Sequence, residues 1–236
     1  EIRLSLVGSE MCIRDSNYPQ AKGVIVSTAA GFVDLSAELA FDEAKAKALL
    51  DEAGWVPQAD GIRAKDGLPL VLSTYESLNY LQNREVLQLV AQQWAKVGVK
   101  LNVLSGDLGS KTIDSLDPEK TALIPAMVGR ADPDVIKSNY YPTNRNLLLQ
   151  KGGISQKVKS FEDTRLNGLF DAIAQEPDTA RRLALTQDVQ RYLIEQAYVI
   201  PLFEEPQVFA GAPWLRDVDF EAVGRPSFYR TWIAPR

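Results

Sequence analysis

Histidine is absent from the 236 residues and cysteine occurs once, at Cys12. From residue 17 onward there is neither. That excludes thiol nucleophiles, thiolate zinc sites, disulfides and Ser-His-Asp chemistry from that part of the chain. A cysteine-free chain suits an exported protein without disulfides. Long apolar runs are also lacking: no stretch approaches the 18 or so residues a membrane-spanning helix needs. A strong charge of either sign is missing too. With a net charge of −5, nothing calls for a nucleic-acid partner or an anionic membrane. "GDLGS" (106–110) lacks the Gly-Lys-Ser/Thr of a phosphate loop, and no carboxylates stand at calcium-loop spacing. No cofactor or metal is expected. What is present is ordinary globular material: 45% apolar residues, in a length that allows one large or two small domains. There are no internal repeats and no low-complexity segments.

Cys12 lies in "GSEMCIRDS" (8–16), whose character differs from that of residues 17–30. Residues 1–16 back-translate in one frame to a sequence that resembles a short-read library adapter. Met11 to Ser16 fits its transposon end, Leu6 to Glu10 the rest of that arm, and Glu1-Ile2 the flow-cell primer. Arg3, Leu4 and Ser5 fall where the variable index would sit. The alternative is a short native strand over "IRLSLV". We set residues 1–16 aside as a translated cloning scar and expect the native polypeptide to begin at about Asn17. The scar holds three acids and two bases, so the remainder carries −4.

Residues 17–40 show few charges and no period. Asp42 is a good N-cap for "FDEAKAKALLDEAGW", where Ala46, Leu49, Leu50 and Ala53 form an apolar stripe and Gly54 a stop. Asp66-Gly67 signals a hairpin between a brief strand at 62–63 and a longer one over 70–75. In "NREVLQLVAQQWAKVGVKLNVLS", Val86, Leu89, Val90, Trp94 and Val97 recur at helical spacing. Gly98 ends the helix, and Val99, Leu101 and Val103 alternate as a strand. Strand 70–75, helix 84–97 and strand 99–104 therefore predict a βαβ unit. A short helix over 107–117 and a buried strand in "TALIPAMVG" (121–129) come next. Helices are expected over 164–175 and 179–197, the second capped by Asp178. "YVIPLFEEPQVFAG" reads as a strand running into a turn, and "FYRTWIAPR" as an aromatic tail able to dock.

In this order the segments resemble one family, the solute-binding components of bacterial ABC importers of the oligopeptide, dipeptide and nickel type (family 5). The carrying residues are "DEAKAKALLDEAGW" (42–55), "DGIRAKDGLPLVL" (60–72), "VLQLVAQQWAKVGVKLNV" (86–103), "ADPD" (131–134) and "DTARRLALTQDVQRYLIEQAYVIPLF" (178–203). No one segment is decisive; their joint order and spacing are. The resemblance implies an α/β, periplasmic-binding-protein-like (type II) lobe: a mixed sheet flanked by helices, as part of a two-lobe fold. It places a second lobe at 17–205 and, at 206–236, a C-terminal segment returning to a first lobe. It also implies a periplasmic or membrane-anchored extracellular protein, permease subunits as partners, and a monomer at full length.

"VGRADPDVIKSNYY" (128–141) is the candidate binding stretch, because loops at strand ends are where α/β proteins place ligand groups. In peptide-binding members of the family, an aspartate shortly before the "DP" pairs with the peptide amino group. Here that position holds Gly129, with Arg130 next to it, whose guanidinium is suited to a carboxylate. Arg130, Asp132, Asp134, Asn139 and Tyr140 are the candidate ligand-binding residues, together with Tyr75 at the end of the 70–75 strand; Tyr141 and Glu76 adjoin them. A solvated Asp-Pro turn and aromatic packing are the alternatives. Trp55 and Trp94 read as core anchors, and Asp42, Asp107 and Asp117 as helix caps.

The expected function is extracytoplasmic capture of a peptide or other small polar solute, without catalysis. One rival is an α/β hydrolytic enzyme using paired carboxylates, Glu204-Glu205 or Asp132 and Asp134. Neighbours on a strand point to opposite faces, which is poor geometry for such a pair. The other rival is a ligand sensor of the same fold.

Overall fold

The computed structural model describes residues 19–76, 83–107, 109–110, 114, 117, 120–126, 134–141, 163–205, 209–221 and 224–235. Helix α1 (Glu43–Glu52) begins at Asp42, whose carboxylate accepts from the Lys45 N–H at 2.8 Å. It buries Ala46 and Leu50. The Trp55 N–H reaches back to the Leu50 carbonyl across Gly54, whose φ of 84° a side chain would resist.

Three short strands come after it: β1 (Val56–Pro57), β2 (Arg63–Lys65) and β3 (Leu68–Pro69), antiparallel in the order β1-β2-β3. Asp66 and Gly67 do form the turn, both at positive φ (53° and 79°), as a mirror-image hairpin turn requires. The expected second arm differs. β2 pairs with Leu68–Pro69, and Val71–Tyr75 is a separate strand, β4. Leu70 carries the chain from one sheet to the other: its N–H donates to the Arg63 carbonyl and its carbonyl accepts from the Lys100 N–H.

β4, helix α2 (Asn83–Ala95) and β5 (Lys100–Leu104) form the expected βαβ unit. β4 and β5 are parallel, in register from Val71↔Lys100 to Tyr75↔Leu104. Parallel neighbours need a long crossover, which α2 supplies. Leu70, Val90, Trp94, Val97, Val99 and Leu101 are buried together with Ala46 and Leu50, and Trp55 packs at the margin. Each such large apolar side chain contributes about 1.5–3 kcal/mol on removal from water. Of the strand expected in 121–129, residues 127–129 lie outside the described residues, and 121–126 make one parallel bridge, Thr74↔Leu123. The Thr74 hydroxyl donates to the Leu123 carbonyl at 2.9 Å and the Ala122 N–H to the Ser73 carbonyl at 2.9 Å.

A second buried cluster is helical. Helices α3 (Asp134–Tyr140), α4 (Thr164–Gln175) and α5 (Thr179–Glu195) pack Val135, Ile136, Leu166, Phe170, Val189, Leu193 and Ile194 together. Asp163 and Asp178 cap α4 and α5, accepting from Leu166 and Arg181 N–H groups at 2.9 Å. The aperiodic N-terminal stretch completes this core with Val24, Ile25, Ala29, Leu35 and Leu39. Buried Gln190 donates to the Gly31 carbonyl at 2.7 Å, and Gln187 to that of Phe32 at 3.1 Å.

The strand expected within 198–205 reduces to one antiparallel bridge, Gln20↔Phe203, flanked by Glu204 N–H to the Pro19 carbonyl at 2.9 Å. The C-terminal residues form two short antiparallel pairs: β6 (Leu215–Arg216) with β9 (Trp232–Ile233), and β7 (Asp219–Phe220) with β8 (Pro226–Ser227). In the tail read as able to dock, Phe228, Tyr229, Trp232 and Ile233 are all exposed. No described helix is long and apolar enough to cross a membrane.

Candidate functional site

The carboxyl ends of β4 and β5 define the candidate site, since parallel sheets present ligand groups there. Tyr75 ends β4 and is buried, at 7% exposure. Its ring lies over Gly106, where a Cβ would stand 2.9 Å from the ring edge, so a larger residue at 106 would displace it. Its hydroxyl donates to Asp114 at 2.7 Å, and the other Asp114 oxygen accepts from Lys120 at 2.8 Å. The bond to Asp114, with burial, raises the Tyr75 hydroxyl above its ordinary range. The bonds from Lys120 and Tyr75 hold the Asp114 carboxyl below its usual value. Lys120 is raised in turn by its bond to Asp114. The result is a fixed carboxylate bearing an ammonium. Beside it, Asp107 accepts from both the N–H and the hydroxyl of Ser110 at 2.9 Å, a cap as expected from the sequence. Glu76 faces Arg84 at 3.7 Å.

The sequence-predicted residues divide. Arg130 and Asp132 lie outside the described residues, as does Gly129. Asp134 opens α3, and its side chain is not among those described. Asn139 lies on α3, half-buried. Tyr140, read as lining a cleft or as packing beneath the loop, is 4% exposed and sits in the helical core; burial alone raises its hydroxyl. The reason is the helical repeat: Ile136 and Tyr140 lie four apart and bury together, so the face that carries one carries the other. Tyr141 joins α3 to α4, donating to Asp171 at 2.7 Å and meeting Phe170 edge-on at 6.0 Å. Tyr75 is at the strand end as expected, but its hydroxyl is already committed to Asp114.

Asp114 and Lys120 were not singled out by sequence reasoning. Their only signal there is a six-residue separation across the end of a stretch read as a short helix. Glu204 is also accounted for: its carboxylate accepts from the Ser27 N–H at 3.0 Å and the Ser27 hydroxyl at 2.9 Å. Glu205 is exposed. Among the described residues, no group of three or more acidic, histidine or cysteine side chains could hold a metal ion.

The family described as bacterial extracellular solute-binding proteins, family 5 Middle, matches residues 14–154, more than half of the chain. The oligopeptide-binding protein OppA of Mycobacterium tuberculosis is 25% identical over 217 residues, 87% of this chain and 34% of its own. The chain thus spans about a third of the length of the curated relatives it matches. NikA from Brucella suis, solved with Fe(III)-EDTA, superposes with a TM-score of 0.65 at 22% identity, over 83% of this chain and 41% of its own. AppA from Bacillus subtilis, solved with a nonapeptide, gives 0.64 at 16% identity, over 94% of this chain and 44% of its own. These likenesses establish the periplasmic-binding-protein fold, of which this chain is similar to a part.

Proposed function

The chain belongs to the bacterial extracellular solute-binding proteins, family 5, and from that membership we propose that it is part of the solute-capturing component of an ABC importer. The observation that carries this reading is the family match over residues 14–154. The solute is a peptide or another small polar molecule. OppA of M. tuberculosis is named for oligopeptides, whereas structural neighbours hold an iron chelate, a nonapeptide or, in MelB from Agrobacterium fabrum, stachyose. The shared fold therefore does not select among these classes. Residues 17–205 form one lobe of the cleft, and 206–236 return toward the other. Residues 1–16 are adapter-derived. Binding needs shape and a few polar anchors, and closure around the solute expels water.

On this reading the chain performs no bond-breaking step. Glu204 is engaged by Ser27, which supports a structural role over a catalytic acid pair. The protein works outside the cytoplasm, as a monomer that docks on permease subunits. Arg130 is the anchor proposed for a solute carboxylate, with Asp132, Asp134 and Asn139 beside it. The test is calorimetric titration of the complete gene product with short peptides, metal chelates and oligosaccharides. Saturable one-to-one binding by one class supports the reading; no binding by any class would end it.

A further inference from the structure

We propose that Asp114 is a binding site for a positively charged group of the solute, with Lys120 as an internal placeholder that the solute displaces. This rests on the solute-binding reading above and names the chemistry of one anchor.

Three observations carry it. Asp114 stands at the carboxyl end of the parallel pair, and its side chain is only 23% exposed. It is aimed by Tyr75, a buried residue whose ring is fixed against Gly106 and whose hydroxyl occupies one carboxylate oxygen at 2.7 Å. The other oxygen already holds an ammonium, that of Lys120, at 2.8 Å. The carboxylate is thus rigid and its cation is not. The Lys120 side chain is 56% exposed on a four-carbon stem and can swing into water at little cost. An incoming ammonium meets an acceptor already oriented for that charge. Tyr75 is a positioning residue, because its hydroxyl holds the carboxylate without requiring contact with solute.

The placeholder assignment reverses the usual sign of a lysine deletion. The complete gene product is titrated with trialanine and with N-acetyl-trialanine, which lacks the ammonium. Lys120→Ala removes the competitor and should tighten trialanine about two- to fivefold, the worth of an exposed ion pair, leaving the acetylated peptide unchanged. Asp114→Asn should weaken trialanine about tenfold or more, again sparing the acetylated peptide. Tyr75→Phe should reduce the preference for trialanine part of the way. If Lys120→Ala weakens trialanine, Lys120 is an anchor and the placeholder idea is wrong. If wild type and all three variants bind both peptides alike, the network only staples the loop and the proposal fails while the solute-binding reading stands. If neither peptide binds the wild type, the proposal falls together with the peptide-solute reading it depends on.

Discussion

Arg63 offers the sharpest test of how the βαβ half is held together. It is buried, at 4% exposure, and its guanidinium joins three segments. Nε donates to the Val97 carbonyl at 2.9 Å, just past the end of α2. One terminal nitrogen donates to the Trp55 carbonyl at 2.6 Å, just past α1, and to Asp51 at 2.5 Å. Both carbonyls lie in the turns that follow the helices, and Arg63 gives each of them a donor. Arg63→Ala strands two carbonyls at about 1–3 kcal/mol each, while the Asp51 contact adds little because that carboxylate is 60% exposed. The expected loss is about 2–6 kcal/mol. Gly98 is coupled to it. Its φ is 86°, and an added Cβ would stand 2.6 Å from Arg63 Cγ. Gly98→Ala therefore carries about 1–2 kcal/mol of left-handed backbone strain plus a collision with the arginine stem. In an Arg63→Ala background the collision is gone and only the backbone strain remains. Urea unfolding of wild type, both single variants and the double variant should show the two losses summing to less than expected, with coupling of about 1–2 kcal/mol at constant m-value. Strictly additive losses, or a loss below about 1 kcal/mol for Arg63→Ala, would refute the geometry.

Other consequences concern the helical half, the open C-terminal pairs and the binding loop. Asp163 caps α4 and also accepts from the Tyr192 and Tyr198 hydroxyls at 2.9 and 2.8 Å. Burial pushes its carboxyl up, but the bonds from Leu166, Tyr198 and Tyr192 outweigh it, so its folded value lies below the ordinary 3.8. Its contribution is complete above that ordinary value and is lost as pH falls through the lower folded one. Asp163→Asn, which can still cap, should flatten the acid limb of urea midpoints; an unchanged limb would contradict this. The exposed Phe228, Tyr229, Trp232 and Ile233, with Tyr229 at 96%, should make the 236-residue chain associate with rising concentration in light scattering. Phe228→Ser with Ile233→Ser should reduce that association, and a clean wild-type monomer would count against the exposure. Arg130→Ala in the complete gene product should weaken a carboxylate-bearing solute by about 1–3 kcal/mol in calorimetry; an unchanged dissociation constant removes Arg130 from the site.

Local rules made much of the fold legible. Asp42, Asp163 and Asp178 are caps because a short carboxylate at an extended residue satisfies a free N–H; the first and last of these were read from sequence. Asp66-Gly67 marked the turn, but the rule does not specify which strand forms the second arm. Pairing β4 with β5 and β2 with β3 is a tertiary choice made at Leu70. The aperiodic residues 24–39 gave no signal, because their apolar side chains pack from turns against α5, where no repeat is needed. The site was harder still. The place of Tyr75 at a strand end was legible because the strand itself is visible in sequence. Asp114 and Lys120 were not, because their pairing depends on how the chain folds back after β5. For Tyr140 the sequence left cleft lining and core packing both open, because an aromatic near a polar loop looks the same in either place; the structure buries it.

The function proposed for the protein is capture and release of a small polar solute without chemistry. Equilibrium dialysis of the complete gene product against a mixture of short peptides, chelates and oligosaccharides, with mass-spectrometric recovery of what is retained, tests it most directly. One class should be retained near one equivalent and recovered with unchanged mass. A retained solute recovered cleaved or modified, or none retained at all, would contradict it.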